Sequence, residues 1–133
     1  MTSPTDRGPA VAVGDGLAVL VDLVAVVLFV GIGRHVHAHG LTLAGLASTA
    51  WPFVSGLAAG WVALVLGGRT ATSLAGGSVV WLSTVVIGMV LRVVSGQGTA
   101  VAFILVALAF LGATLLGWRA ALGEFRRRRP SWP

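Results

Sequence analysis

Asp22 is the residue whose position most directly suggests chemistry. It interrupts the apolar run Leu17–Gly33, and a carboxylate at the centre of a membrane helix costs roughly 2.5–3.5 kcal/mol on an insertion scale. About a dozen Val, Leu, Ile and Phe residues of the same run return roughly 0.3–0.6 kcal/mol each, so the helix still inserts, with Asp22 turned toward protein. Three roles fit. In one, Asp22 is a structural clamp that bonds Arg119, the Trp81 indole, or Ser83 and Thr84. In another it carries a proton or a cation, as ionisable groups inside membranes often do; in the third it lies harmlessly at the interface, with the membrane helix starting deeper in the chain. The clamp is the favoured role.

Arg34 and Arg92 close the first and third apolar runs. A cation at a helix C-terminus is favoured by the macrodipole, and a long side chain there reaches headgroups by snorkelling. The alternative is a paired anion or substrate site beside Gln97. His35, His37 and His39 form H-x-H-x-H, a weak candidate for a metal or a pH sensor; with no cysteine in the chain and no acid nearby, no metal is expected. Ser, His and Asp all occur, but Asp22 and the histidines fall at opposite ends of the first run, so they cannot form one triad. Enzymatic activity is disfavoured, and no cofactor motif is present.

The medium that must surround these residues follows from composition. The chain has 133 residues, 56% hydrophobic and 10% charged; a soluble domain carries about 25% charged residues. Lipid is the solvent that suits it. The net charge is +5, from nine arginines and no lysine. They cluster at segment ends and in one tail, which fits membrane topology better than nucleic-acid binding.

Four apolar runs, each near the roughly 20 residues that span a bilayer, are separated by short polar stretches at 35–40, 67–70 and 95–99. The expected fold is an all-α membrane protein, an antiparallel bundle of four transmembrane helices at about 15–34, 41–66, 74–94 and 99–122. A flexible segment, 1–14, precedes the domain 15–122, and a basic tail, 123–133, follows it. Arg7, Arg69, Arg119 and Arg126 to Arg129 share one side and Arg34 and Arg92 the other, which predicts both termini in the cytoplasm. Trp61 and Trp118 then lie near the cytoplasmic interface. Arg126, Arg127, Arg128 and Arg129 are expected at lipid headgroups.

Within the second run, Pro52 beside Trp51 predicts a kink, because the proline cannot bond the carbonyl of Ser48; Ser48 and Thr49 are placed to help satisfy it. Gly56-x-x-x-Gly60 permits close helix approach, with internal packing favoured over homodimerisation.

Several strings match a family pattern: Asp22-Leu23-Val24 leading to Ile32-Gly33-Arg34, Thr49-Ala50-Trp51-Pro52-Phe53, Val80-Trp81-Leu82-Ser83-Thr84, Gly96-Gln97-Gly98-Thr99-Ala100 and Gly117-Trp118-Arg119. Over about Asp15 to Ala121 the chain resembles the uncharacterised bacterial membrane family called domain of unknown function 3054. The resemblance implies a small multi-pass protein of a bacterial plasma membrane and singles out Asp22, Arg34, Trp51, Pro52, Trp81, Arg92, Gln97 and Trp118. It implies no activity, substrate or cofactor.

Two functions remain in view. The favoured one is a binding, accessory or scaffold subunit, with membrane lipid as partner and a homodimer or a partner membrane protein as further options, and with Asp22 neutralised internally. The alternative is a small proton- or ion-coupled transporter using Asp22, which requires a wet cavity touching that residue.

Overall fold

The computed structural model describes residues 8–36 and 41–128. They form four helices, α1 Gly8–Val36, α2 Leu43–Gly67, α3 Leu74–Val94 and α4 Val101–Arg128, with no strand among the described residues. Each helix contains a stretch long and apolar enough to cross a membrane.

Local chemistry sets the helix ends. Thr42 and Ser73 each accept, through the side-chain oxygen, the backbone N–H three residues on, at 3.0 Å in both cases; these are N-caps for groups that have no partner inside the helix. Gly68 closes α2 at φ 64°, a left-handed conformation that a Cβ would disfavour.

Two ends lie beyond the sequence expectation. Helix α1 begins at Gly8 rather than near residue 15; Pro9 falls in the first turn, where the missing N–H breaks no intrahelical bond. Helix α4 continues through Arg128 rather than stopping near residue 122. Glu124 accepts from Arg127 at 2.6 Å and from Arg128 at 2.8 Å, the i,i+3 and i,i+4 pairings that support a solvated helix end. Arg126, Arg127 and Arg128 thus lie on α4; Arg129 and the residues after it lie outside the described residues, as do Asp6 and Arg7.

The helices pack in a ring, α1 on α2, α2 on α3, α3 on α4 and α4 back on α1. The α2–α3 joint is the most extensive and rests on small residues. A Cβ on Gly56 would come within 2.7 Å of the Ser83 carbonyl oxygen, and one on Gly60 within 3.0 Å of the Val80 Cα. The small-xxx-small pattern therefore packs internally. Between α3 and α4, the Trp81 ring lies against Gly112 and its indole N–H donates to the Leu108 carbonyl at 3.1 Å.

The core contains Val26, Phe53, Leu64, Val80, Leu111 and Leu115. Phe29 meets Phe53 edge-on with centroids 5.3 Å apart and also touches Phe103 and Phe110. Outward faces are apolar as well: Leu43 is 85% exposed and Leu66 82%. In water that surface would be an aggregation hazard; in hydrocarbon it is the solvated face. Apolar residues all round a helix mark a helix buried in a large core or in a membrane.

Candidate functional site

Two polar centres stand out, one at the middle of α1 and one at its C-terminal end. The first is built on Asp22. Helix α1 brings its carboxylate inward, where it is 0% exposed. The Arg119 guanidinium meets it as a fork, Nη1 to Oδ1 at 2.9 Å and Nη2 to Oδ2 at 2.8 Å. The Trp118 indole donates to Oδ1 at 2.8 Å and the Trp61 indole to Oδ2 at 3.0 Å. Each carboxylate oxygen thus accepts two bonds.

Arg119 is held as firmly. Its Nε donates to the Ala71 carbonyl at 2.8 Å and its Nη1 also to the Leu115 carbonyl at 2.9 Å. The guanidinium carbon lies 4.4 Å from the Trp118 ring centroid, a cation–π distance. A Cβ on Gly77 would stand 2.5 Å from the Arg119 Cδ, so the glycine on α3 leaves the room that the arginine stem occupies. All four helices and the α2–α3 connection meet at this one pair. Among the described residues no buried side-chain nitrogen or oxygen lacks a partner, which is what a buried ion pair needs if the desolvation of both charges is to be offset.

Of the partners expected for Asp22, Arg119 is present. Trp81 is engaged with Leu108 instead, and the Thr84 hydroxyl donates to the Val80 carbonyl at 2.7 Å. Trp61 and Trp118 are the partners that sequence reasoning missed. The available signal was their place on the same side as Asp22, since an inward-facing indole N–H needs an acceptor.

The second centre is a cavity of about 740 Å³, lined among others by Phe29, Arg34, Thr49, Arg92, Gln97 and Phe103. It lies about 18 Å along α1 from Asp22, twelve residues at 1.5 Å each. The Arg34 Nη1 donates to the Thr49 hydroxyl at 2.9 Å, and a side chain on Gly45 would overlap the same guanidinium. Arg92 folds back on the loop after α3. It donates to the Gly98 carbonyl at 3.0 Å, the Gln97 Oε1 at 3.1 Å and the Gln97 carbonyl at 3.3 Å, and it sits 4.4 Å over the Phe103 ring. Gly98 has φ 81°, and this left-handed turn helps set the loop whose Gly98 carbonyl accepts from Arg92.

Gln97 also explains Pro52. The proline leaves the Ser48 carbonyl without its helical donor, and the Gln97 side-chain amide donates to that carbonyl at 3.2 Å. Proline, glutamine and Arg92 therefore form one chain of contacts beside the cavity. Trp51 shares none of it; it is 43% exposed. His35 is exposed at the end of α1, and His37 and His39 lie outside the described residues. Neither this cavity nor the smaller one beside Leu17, Thr72 and Arg126 is lined by Asp22.

The model of the family described as Protein of unknown function (DUF3054) matches residues 19–122, most of the chain, so the chain belongs to that family. No curated protein and no solved structure matches it.

Proposed function

We propose that this DUF3054 member is a binding or accessory protein of a bacterial plasma membrane, with Asp22 as an internal clamp and no part in ion coupling. The observation that carries the reading is the state of Asp22. It is 0% exposed, both its oxygens are filled, and the nearest fixed charge is the opposite one on Arg119. A coupling carboxylate must be reached by water or ion and must exchange partners during the cycle. A carboxylate with four donors from three residues is built to stay as it is.

The same contacts support an antiparallel order of helices. Asp22 lies in the first half of the apolar stretch Gly14–His35 of α1 and meets Trp61, Trp118 and Arg119 in the second halves of α2 and α4. Arg34 near the end of α1 meets Thr49 near the start of α2. With both termini on one side, the arginine distribution favours the cytoplasm for them. Arg119 is neutralised by Asp22, yet six arginines still stand on that side against two on the other; positive charge marks the inner face.

The clamp is tested with a membrane-soluble carbodiimide, which modifies carboxyl groups it can reach. In membranes holding the full chain, Asp22 should stay unmodified while the Arg119→Gln variant becomes labelled, as read by mass spectrometry. Rapid modification of Asp22 in the native chain would reject the clamp and favour proton- or ion-coupled transport.

A further inference from the structure

The cavity at the C-terminal end of α1 has a basic wall that suits one class of ligand. Among the described residues its wall carries the guanidinium groups of Arg34 and Arg92 and no carboxylate. None is near in sequence either, because the chain has no Asp or Glu between Leu23 and Gly123. Two guanidinium groups on one half-buried, largely apolar wall attract an anion more strongly than they would in water.

Snorkelling alone does not describe these arginines. A snorkelling side chain extends away from the bundle toward headgroups. Here Arg92 turns back onto Gln97, Gly98 and the Phe103 ring, and Arg34 reaches Thr49 of the neighbouring helix. The three bonds of Arg92 use three of the five N–H groups of a guanidinium, which leaves two for a ligand. Gln97 braces that geometry from the far side through the Ser48 carbonyl.

The rest of the wall is apolar. Phe29, Val30, Phe103 and Val106 line it, and Val106, 57% exposed, places the mouth along the outer face of α4. A volume of about 740 Å³ falls in the range of about 300–1,000 Å³ typical of small-molecule sites.

We infer that this cavity binds an amphiphilic anion, with a carboxylate or phosphate head between Arg34 and Arg92 and a hydrocarbon portion against Phe29, Phe103 and Val106. Arginine suits both heads, since its planar fork pairs two oxygens at once. The inference rests on the reading of the chain as a membrane binding protein and names its ligand class. The head could come from a phospholipid of the bilayer or from a free acid dissolved in it, and both present the same chemistry.

Native mass spectrometry of the full chain, released from neutral detergent, separates the sources. The probes are palmitate, phosphatidylglycerol and, as a zwitterionic control, phosphatidylcholine. One-to-one adducts with palmitate, phosphatidylglycerol or both, in preference to phosphatidylcholine, are expected; the anion retained identifies the source. Arg34→Gln should weaken retention roughly tenfold to a hundredfold, the equilibrium counterpart of one charge-assisted hydrogen bond. Val106→Trp keeps both charges, fills the mouth and should weaken it too, with helix content by circular dichroism confirming that each variant folds. No adduct with either anion overturns the inference. So does equal retention of all three probes, or native-like binding by both folded variants. These outcomes are independent of Asp22 labelling: a labelled Asp22 with intact anion binding rejects the clamp alone, and an unlabelled Asp22 with no anion binding rejects the ligand class alone.

Discussion

At the scale of single residues, the pair Asp22–Arg119 makes a prediction that separates charge from hydrogen bonding. Removing one member of a buried pair leaves the other uncompensated and typically costs about 3–5 kcal/mol. Asp22→Asn and Arg119→Gln should each destabilise the protein on that scale, measured by unfolding in mixed detergent micelles. Asp22→Leu with Arg119→Met removes both charges and should recover part of the loss. Recovery stays incomplete because the Trp61 and Trp118 indoles and the Ala71 carbonyl, which bond the pair in the native chain, are left without it, at about 1–3 kcal/mol for each buried group. Trp61→Phe and Trp118→Phe added to the double variant should close more of the gap. A double variant no more stable than either single one would show that uncompensated charge is not the source of the loss. Asp22 was legible in the sequence because a charge in an apolar run is conspicuous, and Arg119 because it closes the fourth run on the same side. The indoles of Trp61 and Trp118 were not legible as partners of Asp22, because an apolar run does not reveal which face of α2 or α4 meets α1.

At the scale of elements, the four helices and their short connections could be read directly from the apolar runs, and so could the carbonyl that Pro52 leaves open. Its partner could not. The sequence offered the adjacent Ser48 and Thr49, whereas the donor is Gln97, which is distant in the chain and reaches Ser48 only because the loop after α3 lies beside the first half of α2. Helix ends were also partly hidden. The spread of α4 into its arginines depends on Glu124 pairing along the helix, a local effect that a hydropathy boundary does not register. The joint between proline and glutamine is testable by a double-mutant cycle. Gln97→Ala should destabilise the native chain by about 1–3 kcal/mol, the cost of an acceptor left unpaired together with the loosened Arg92. In a Pro52→Ala background the alanine N–H can bond the Ser48 carbonyl within the helix, so the same Gln97→Ala change should cost less, with a coupling of roughly 0.5 kcal/mol or more. Equal costs in both backgrounds would mean that Gln97 does not serve the carbonyl opened by the proline.

For the whole molecule, orientation decides which solution each polar centre faces. With the termini inside, the Asp22 pair belongs to the cytoplasmic half and the Arg34–Arg92 cavity to the outer half, where an amphiphilic anion would arrive from the outer leaflet. With the opposite orientation, the same cavity would draw on the inner leaflet, which is richer in anionic lipid in many membranes. The fold is unchanged by the choice, so only labelling of the chain in its membrane can make it. The absence of cysteine allows a single thiol to be introduced without background. Ser95 and Thr70 are both exposed, and they stand in the connections after α3 and α2, which an antiparallel order puts on opposite faces. In intact bacterial cells expressing the chain, Ser95→Cys should react with a membrane-impermeant maleimide, and Thr70→Cys should react only once the cells are opened. The reverse pattern would turn the molecule over. Labelling of both from outside would break the antiparallel order itself, and with it the assignment of the two centres to separate leaflets. A weaker arginine bias supplies a second arm to the same measurement. Replacing Arg126, Arg127 and Arg128 with Gln leaves three arginines, Arg7, Arg69 and Arg129, against Arg34 and Arg92, so a fraction of molecules should expose Thr70→Cys outside if charge alone sets the direction of insertion.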